Sequence, residues 1–148
     1  MGQKVVGDEP SLGDGIYLNH VGVAVVTWDP PAQAVHIEWL GWADSTEFEE
    51  THEAGLRALR ENLASRLLID GRRGRVMKQS NQDWMTQNLL PRAFAAGLRR
   101  VAVVMPTSAL AMMNSEAMLT RMRYETRLSF GYFATLEEAT SWLSELST

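Results

Sequence analysis

A chain of 148 residues, 45% hydrophobic and 22% charged, can bury one core and has the composition of an ordinary soluble domain. It contains no cysteine, which excludes disulfides, thiolate metal sites and cysteine nucleophiles. No apolar run approaches the roughly 18 residues of a membrane span. The first ten residues lack the apolar core of a signal peptide, and Val6 stands where a myristoylation motif needs Ser or Thr. A cytoplasmic location is expected.

The net charge of −4 is unevenly spread. Residues 1–63 hold 3 basic and 11 acidic side chains, or −8; residues 64–148 hold 11 and 7, or +4. Arg66, Arg72, Arg73, Arg75 and Lys78 make a local basic excess. It reads either as an anion site or acidic-partner surface, or as a solvated face. No basic stripe interleaved with aromatics suggests nucleic acid.

Residues 1–15, with four glycines and a proline, read as a flexible arm, and residues 16–148 as one domain. Ile16 to Trp28 is apolar and β-branched, broken by Asn19-His20 and Gly22, and predicts one strand or two short ones. Asp29-Pro30-Pro31 ends it, because proline cannot donate to a sheet ladder. Val35, Ile37 and Trp39 alternate with His36 and Glu38, as in a half-buried strand. Together these segments predict an antiparallel β-meander.

Asp44-Ser45-Thr46-Glu47 is a helix entry, and Phe48, His52, Leu56, Leu59 and Leu63 follow at helical spacing, predicting a helix over 46–63. A strand at Arg66–Asp70 leads into the loop Gly71-Arg72-Arg73-Gly74-Arg75. The next helix is expected to begin near Ser80 or Asn81 as N-cap and to carry Trp84, Met85, Leu89 and Leu90, with Pro91 kinking or restarting it. Gly97 closes that helix, and a strand at Arg100–Met105 follows. Pro106-Thr107-Ser108 opens a helix with Leu110, Met113 and Met118 inward; Leu128–Phe133 is the last strand. Thr135 caps a final helix, with Glu138 placed for a capping box. Strands alternating with helices predict an α/β domain, a mixed central sheet flanked by about four helices. Its core is expected to rest on Leu68, Ile69, Val101, Val103 and Val104.

The chain resembles small α/β proteins of the SpoIIAA-like, or STAS-like, kind. The resemblance is carried by Leu68-Ile69-Asp70 with its arginine-bearing loop, Asp83-Trp84, Pro91 and Ala96-Gly97-Leu98-Arg99-Arg100-Val101-Ala102-Val103-Val104. Phe133, Leu136-Glu137-Glu138-Ala139 and Trp142-Leu143 complete it. It implies a STAS-like fold over about residues 16–146. The broader group holds bacterial anti-anti-sigma regulators switched by a phosphorylated serine, sulfate-transporter domains, and modules that bind nucleotides or lipids. The regulatory serine there follows an acid and precedes a glycine-bearing turn. Here Lys78-Gln79-Ser80-Asn81-Gln82-Asp83 matches only at Ser80, which reads better as a helix cap.

In α/β sheets, ligand sites lie at the carboxyl ends of strands, which singles out Asp70. It can serve as a site carboxylate, cap the following turn, or pair with Arg72 or Arg73. The loop's backbone and guanidinium groups, with Ser80 and Asn81 at the next helix start, form a candidate anion site. The loop lacks the Gly-Lys-Ser/Thr ending of a P-loop. Met105, Met112, Met113, Met118 and Met122 read as core filling, a dimer face, or, with Trp84, a soft apolar groove. His52-Glu53 opens like a zinc-protease helix, but Leu56 stands where the second histidine belongs. His20 and His36 offer no ligand spacing on their own, and approach only if their strands pair. No metal, cofactor or Gly-x-Ser-x-Gly elbow is expected. The expectation is a non-enzymatic STAS-like binding or regulatory module with a protein partner or small ligand, open to homodimerisation. The alternative is a carrier or receptor for a small apolar or anionic molecule, and the remaining class is an enzyme using Asp70.

Overall fold

The structure, a computed structural model, describes residues 15–73, 78–107 and 127–145. It is α/β, with one mixed sheet of six strands in sequential order: β1 (Ile16–His20), β2 (Ala24–Asp29), β3 (Ala34–Trp39), β4 (Arg66–Asp70), β5 (Arg100–Val104) and β6 (Ser129–Phe133). The first three form the expected antiparallel meander, and β3 to β6 run parallel.

The meander turns at Val21–Val23 and at Pro30–Gln33, where the predicted breakers stand. Parallel neighbours need a crossover, and α1 (Ser45–Asn62) supplies the first. Its start is a full capping box. The Glu47 amide donates to Asp44 Oδ1 at 2.7 Å, and the Asp44 amide donates to Glu47 Oε1 at 3.0 Å.

The second crossover corrects the expected start. Helix α2 (Gln79–Trp84) has Lys78 at its N-cap with no side-chain cap, so Ser80 and Asn81 lie inside the helix. The Lys78 carbonyl accepts from both the Asn81 and Gln82 amides, and the Gln79 side chain donates to Asp83 Oδ1 at 3.0 Å. This i,i+4 contact supports the extra residues upstream of the serine. A π-helical turn over Met85–Leu89 joins α2 to α3 (Leu90–Ala95). Pro91 stands in the first turn of α3, so the helix restarts at the proline as expected. Its ring crowds the carbonyl four residues back and it has no N–H to donate, and the chain answers with the wider turn just before it. Gly97, at φ 117°, ends α3 as expected, with the Leu98 amide reaching back to the Ala93 carbonyl at 2.9 Å. In the final helix, α4 (Leu136–Glu145), the Glu138 amide donates to the Thr135 hydroxyl at 3.1 Å.

Strand register sorts the core into two layers. Val35, Ile37, Leu67, Val101 and Phe130 face α1 and the α2–α3 segment. Ala34, Leu68, Ala102 and Val104 face the other way, against Ala139 and Leu143 of α4. Of the expected core residues, Leu68, Val101 and Val104 are buried; Ile69 and Val103 are only partly so. Both lie one pleat nearer the carboxyl edge of the sheet than Leu67 and Val101, on the same face. The methionine-rich segment, including Met112 and Met113, lies outside the described residues. No described helix is long and apolar enough to cross a membrane.

Candidate functional site

The carboxyl edge of the sheet is where the charged side chains converge. Parallel register sets Glu38 of β3 directly beside Asp70 of β4. Like charges at adjacent positions repel, and the loop after β4 supplies the answer. The Gly71 amide donates to the Val104 carbonyl at 2.7 Å, fastening the loop to β5. A Cβ at this position would stand 3.2 Å from that carbonyl, so glycine permits the approach.

The next residue then folds back on Asp70. Arg72 Nε donates to Oδ1 at 3.0 Å, Nη2 donates to Oδ2 at 2.8 Å, and the Arg72 amide adds a third bond to Oδ1 at 3.2 Å. Asp70 is thus both turn cap and ion-pair partner, the two structural roles its sequence position allowed. Only 4% of Asp70 is exposed. Burial pushes its pKa up, but the side-chain and backbone hydrogen bonds from Arg72, with the charges of Arg72 and His36, outweigh burial and hold it below the ordinary carboxylate range. The Arg72 guanidinium is held correspondingly high by its bonds to Asp70, with a smaller contribution from Glu38.

Around this clamp lies a pocket of about 200 Å³ lined by Glu38, Trp39, Asp70, Arg72 and Arg73. A wider hollow of about 530 Å³ runs along α4, lined by Leu136, Glu137, Thr140, Ser141 and Ser144. It is a shallow helix face with a single charged group, whereas the smaller pocket gathers four charges and an indole at strand ends. The smaller pocket is therefore the candidate site.

The structure brings together Asp70, Arg72 and Arg73 of the residues singled out from sequence. Ser80 is exposed in the first turn of α2 and Asn81 is buried, and neither lines the pocket. Glu38 and Trp39 were not anticipated. Their signal was the alternation of β3, which places Glu38 opposite the apolar residues at the strand's carboxyl end.

Trp39 joins the pocket to an aromatic cluster beneath it. Its ring stacks on Phe48 at 5.8 Å and 14°, Phe48 lies 4.4 Å from His52, and Trp84 meets Phe48 and His52 at 6.1 and 6.2 Å. Trp84 thus packs with aromatics of α1. His52 is 3% exposed; its Nδ1–H donates to the Phe48 carbonyl at 2.9 Å, and its Nε2 has no partner among the described residues. Burial pushes its pKa down to about 4, against the opposing effects of the Phe48 bond and the Glu53 charge, so the ring is neutral near pH 7.

His20 and His36 are not brought together. His20 Nε2 lies 3.5 Å from Glu47, while His36 stands between Thr27 and Leu68. No group of three metal-binding side chains occurs among the described residues. Searches against protein-family models, curated proteins and solved structures return no match to this chain.

Proposed function

We propose that this protein is a non-enzymatic binding or regulatory module of STAS-like kind, acting in the cytoplasm through the pocket at the carboxyl ends of β3 and β4. The observation that carries the proposal is the Asp70–Arg72 clamp. Three hydrogen bonds from one residue fix a buried carboxylate as part of a rigid pocket wall. Such a wall is prepared to recognise and poorly suited to proton transfer, since a carboxylate held below its ordinary pKa is a weak base. The sequential sheet with an N-terminal meander is compatible with a STAS-like domain. The pocket itself favours the receptor form of this reading, in which a small polar molecule occupies it.

Native mass spectrometry of the freshly purified full chain tests it. The expected result is a non-covalent adduct of small mass that disappears in the Arg72→Ala, Arg73→Ala double variant. An adduct-free wild type overturns the receptor form. Turnover abolished by Asp70→Asn, which preserves the side chain's shape, overturns the non-enzymatic reading.

A further inference from the structure

Among the described residues the pocket is lined by two carboxylates and two guanidinium groups. Asp70 and Arg72 satisfy one another. Among the described residues, neither the Glu38 nor the Arg73 side chain makes a hydrogen bond or ion pair; Glu38 acts on Arg72 only through its charge, and both side chains belong to residues that line the same pocket. A simple anion drawn to Arg73 meets the Glu38 charge, and a simple cation drawn to Glu38 meets Arg73. A molecule carrying both charges a few bonds apart satisfies both.

Size narrows the class further. At about 200 Å³ the pocket falls below the roughly 300–1,000 Å³ typical of drug-sized ligands, which excludes a nucleotide and leaves room for a molecule of amino-acid size. Trp39 also lines the pocket, its ring stacked on Phe48, and an indole is the aromatic group that attracts an ammonium best. Arg73 offers the planar fork that matches a carboxylate.

We infer that the pocket binds a small zwitterion of the α-amino-acid class, its ammonium against Glu38 and Trp39 and its carboxylate against Arg73. This rests on the receptor reading above and specifies its ligand chemistry. The Asp70–Arg72 pair is a positioning element: it neutralises the strand ends so that Glu38 and Arg73 remain available.

The test is thermal denaturation of the full chain with glycine, L-alanine, L-serine and L-glutamate. Two blocked forms of each accompany them, the N-acetyl derivative without an ammonium and the amide without a carboxylate. Sodium phosphate and sodium chloride at matched ionic strength complete the set. A ligand that binds only the folded state raises Tm with concentration above its Kd. The expected result is a concentration-dependent rise with at least one free amino acid and none with its blocked forms or phosphate. Glu38→Gln and Arg73→Ala should each weaken binding on the order of tenfold or more, equal to about 1.4 kcal/mol. Arg60→Ala, which removes an exposed charge on α1, should leave it unchanged. A rise with phosphate or the acetylated forms that matches the free amino acid makes this an anion site and overturns the zwitterion. A match by the amides overturns it in favour of a cation. No response to any probe from a protein that carries an adduct in native mass spectrometry also overturns the zwitterion, while leaving the receptor reading intact. No response and no adduct defeat both.

Discussion

Removing the Arg72 side chain isolates the contribution of the clamp. Arg72→Ala leaves the Asp70 carboxylate with 6% of its side chain exposed and its two side-chain hydrogen-bond donors gone. Breaking a fully buried pair costs about 3–5 kcal/mol, whereas an exposed pair is worth about 0.2–1 kcal/mol. Here one partner is buried and the other is 45% exposed, so water screens the guanidinium side. The expected loss at pH 7 is about 1–3 kcal/mol, which for a chain of this length lowers Tm by roughly 3–10 °C. The pH dependence separates charge from packing. In the wild type the folded pKa of Asp70 lies below its unfolded value, so its stabilisation is present above about pH 4 and is lost as pH falls through the folded pKa. In the variant, burial dominates and raises the folded pKa above the unfolded one, so acidification relieves the penalty. The difference between the two proteins should therefore be widest at neutral pH and narrow as acidification protonates Asp70 in the folded state. Urea denaturation at neutral and at acidic pH measures it. A gap that is equal at both ends would mean that the arginine stem acts by packing alone, and the electrostatic account of the clamp would be wrong.

Three further outcomes follow from the fold. His52, pushed down to about 4 from an ordinary 6.5, stabilises fully above pH 6.5 and progressively less as pH falls toward 4, by up to about 3 kcal/mol. His52→Leu should flatten that part of the stability profile in urea denaturation, and an unchanged slope would assign the acid sensitivity elsewhere. Val101→Ala, at a site 1% exposed, should cost about 2–3 kcal/mol, and Val103→Ala, partly exposed near the sheet edge, distinctly less. Equal losses in equilibrium denaturation would contradict the layer assignment. Asp44→Ala should cost about 0.5–2 kcal/mol by removing a bonded cap, while Ser80→Ala, exposed inside a helix, should stay within about 0.5 kcal/mol. A large loss at Ser80 would restore it as the cap.

The elements were legible wherever local chemistry and tertiary packing agree. The strand Arg66–Asp70 is a short apolar run that ends at a turn, and its bounds match expectation. Asp44 with Glu47 is a cap that needs nothing beyond its own turn. Ser80 failed for the complementary reason. A serine signals an N-cap only if the chain before it leaves the helix, and here Lys78 already accepts the first helical bonds. Val103 failed because alternation identifies which face a side chain joins and says nothing of how far the covering helix extends. Ile69 and Val103 share a face with buried Leu67 and Val101, but lie nearer its uncovered margin.

The candidate site was legible on one strand only. Asp70 and its arginines are neighbours in sequence, so a turn that joins them can be read from composition. Glu38 enters the pocket through the parallel register of β3 and β4, which aligns it with Asp70 across a full crossover helix. That register is fixed by the burial of Val35 and Ile37 beside Leu67 and Ile69, because a slip of one residue would turn each apolar set to the wrong face. The apolar pattern therefore dictates the electrostatics at the strand ends without encoding them in any local motif. With Glu38 in place the loop's arginines share their pocket with two carboxylates: Arg72 answers the buried Asp70, and Arg73 lines the same pocket as Glu38 of the neighbouring strand. Part of the arginine excess in the sequence thus stands, among the described residues, beside an equal number of carboxylates, which is the arrangement on which the zwitterion proposal rests.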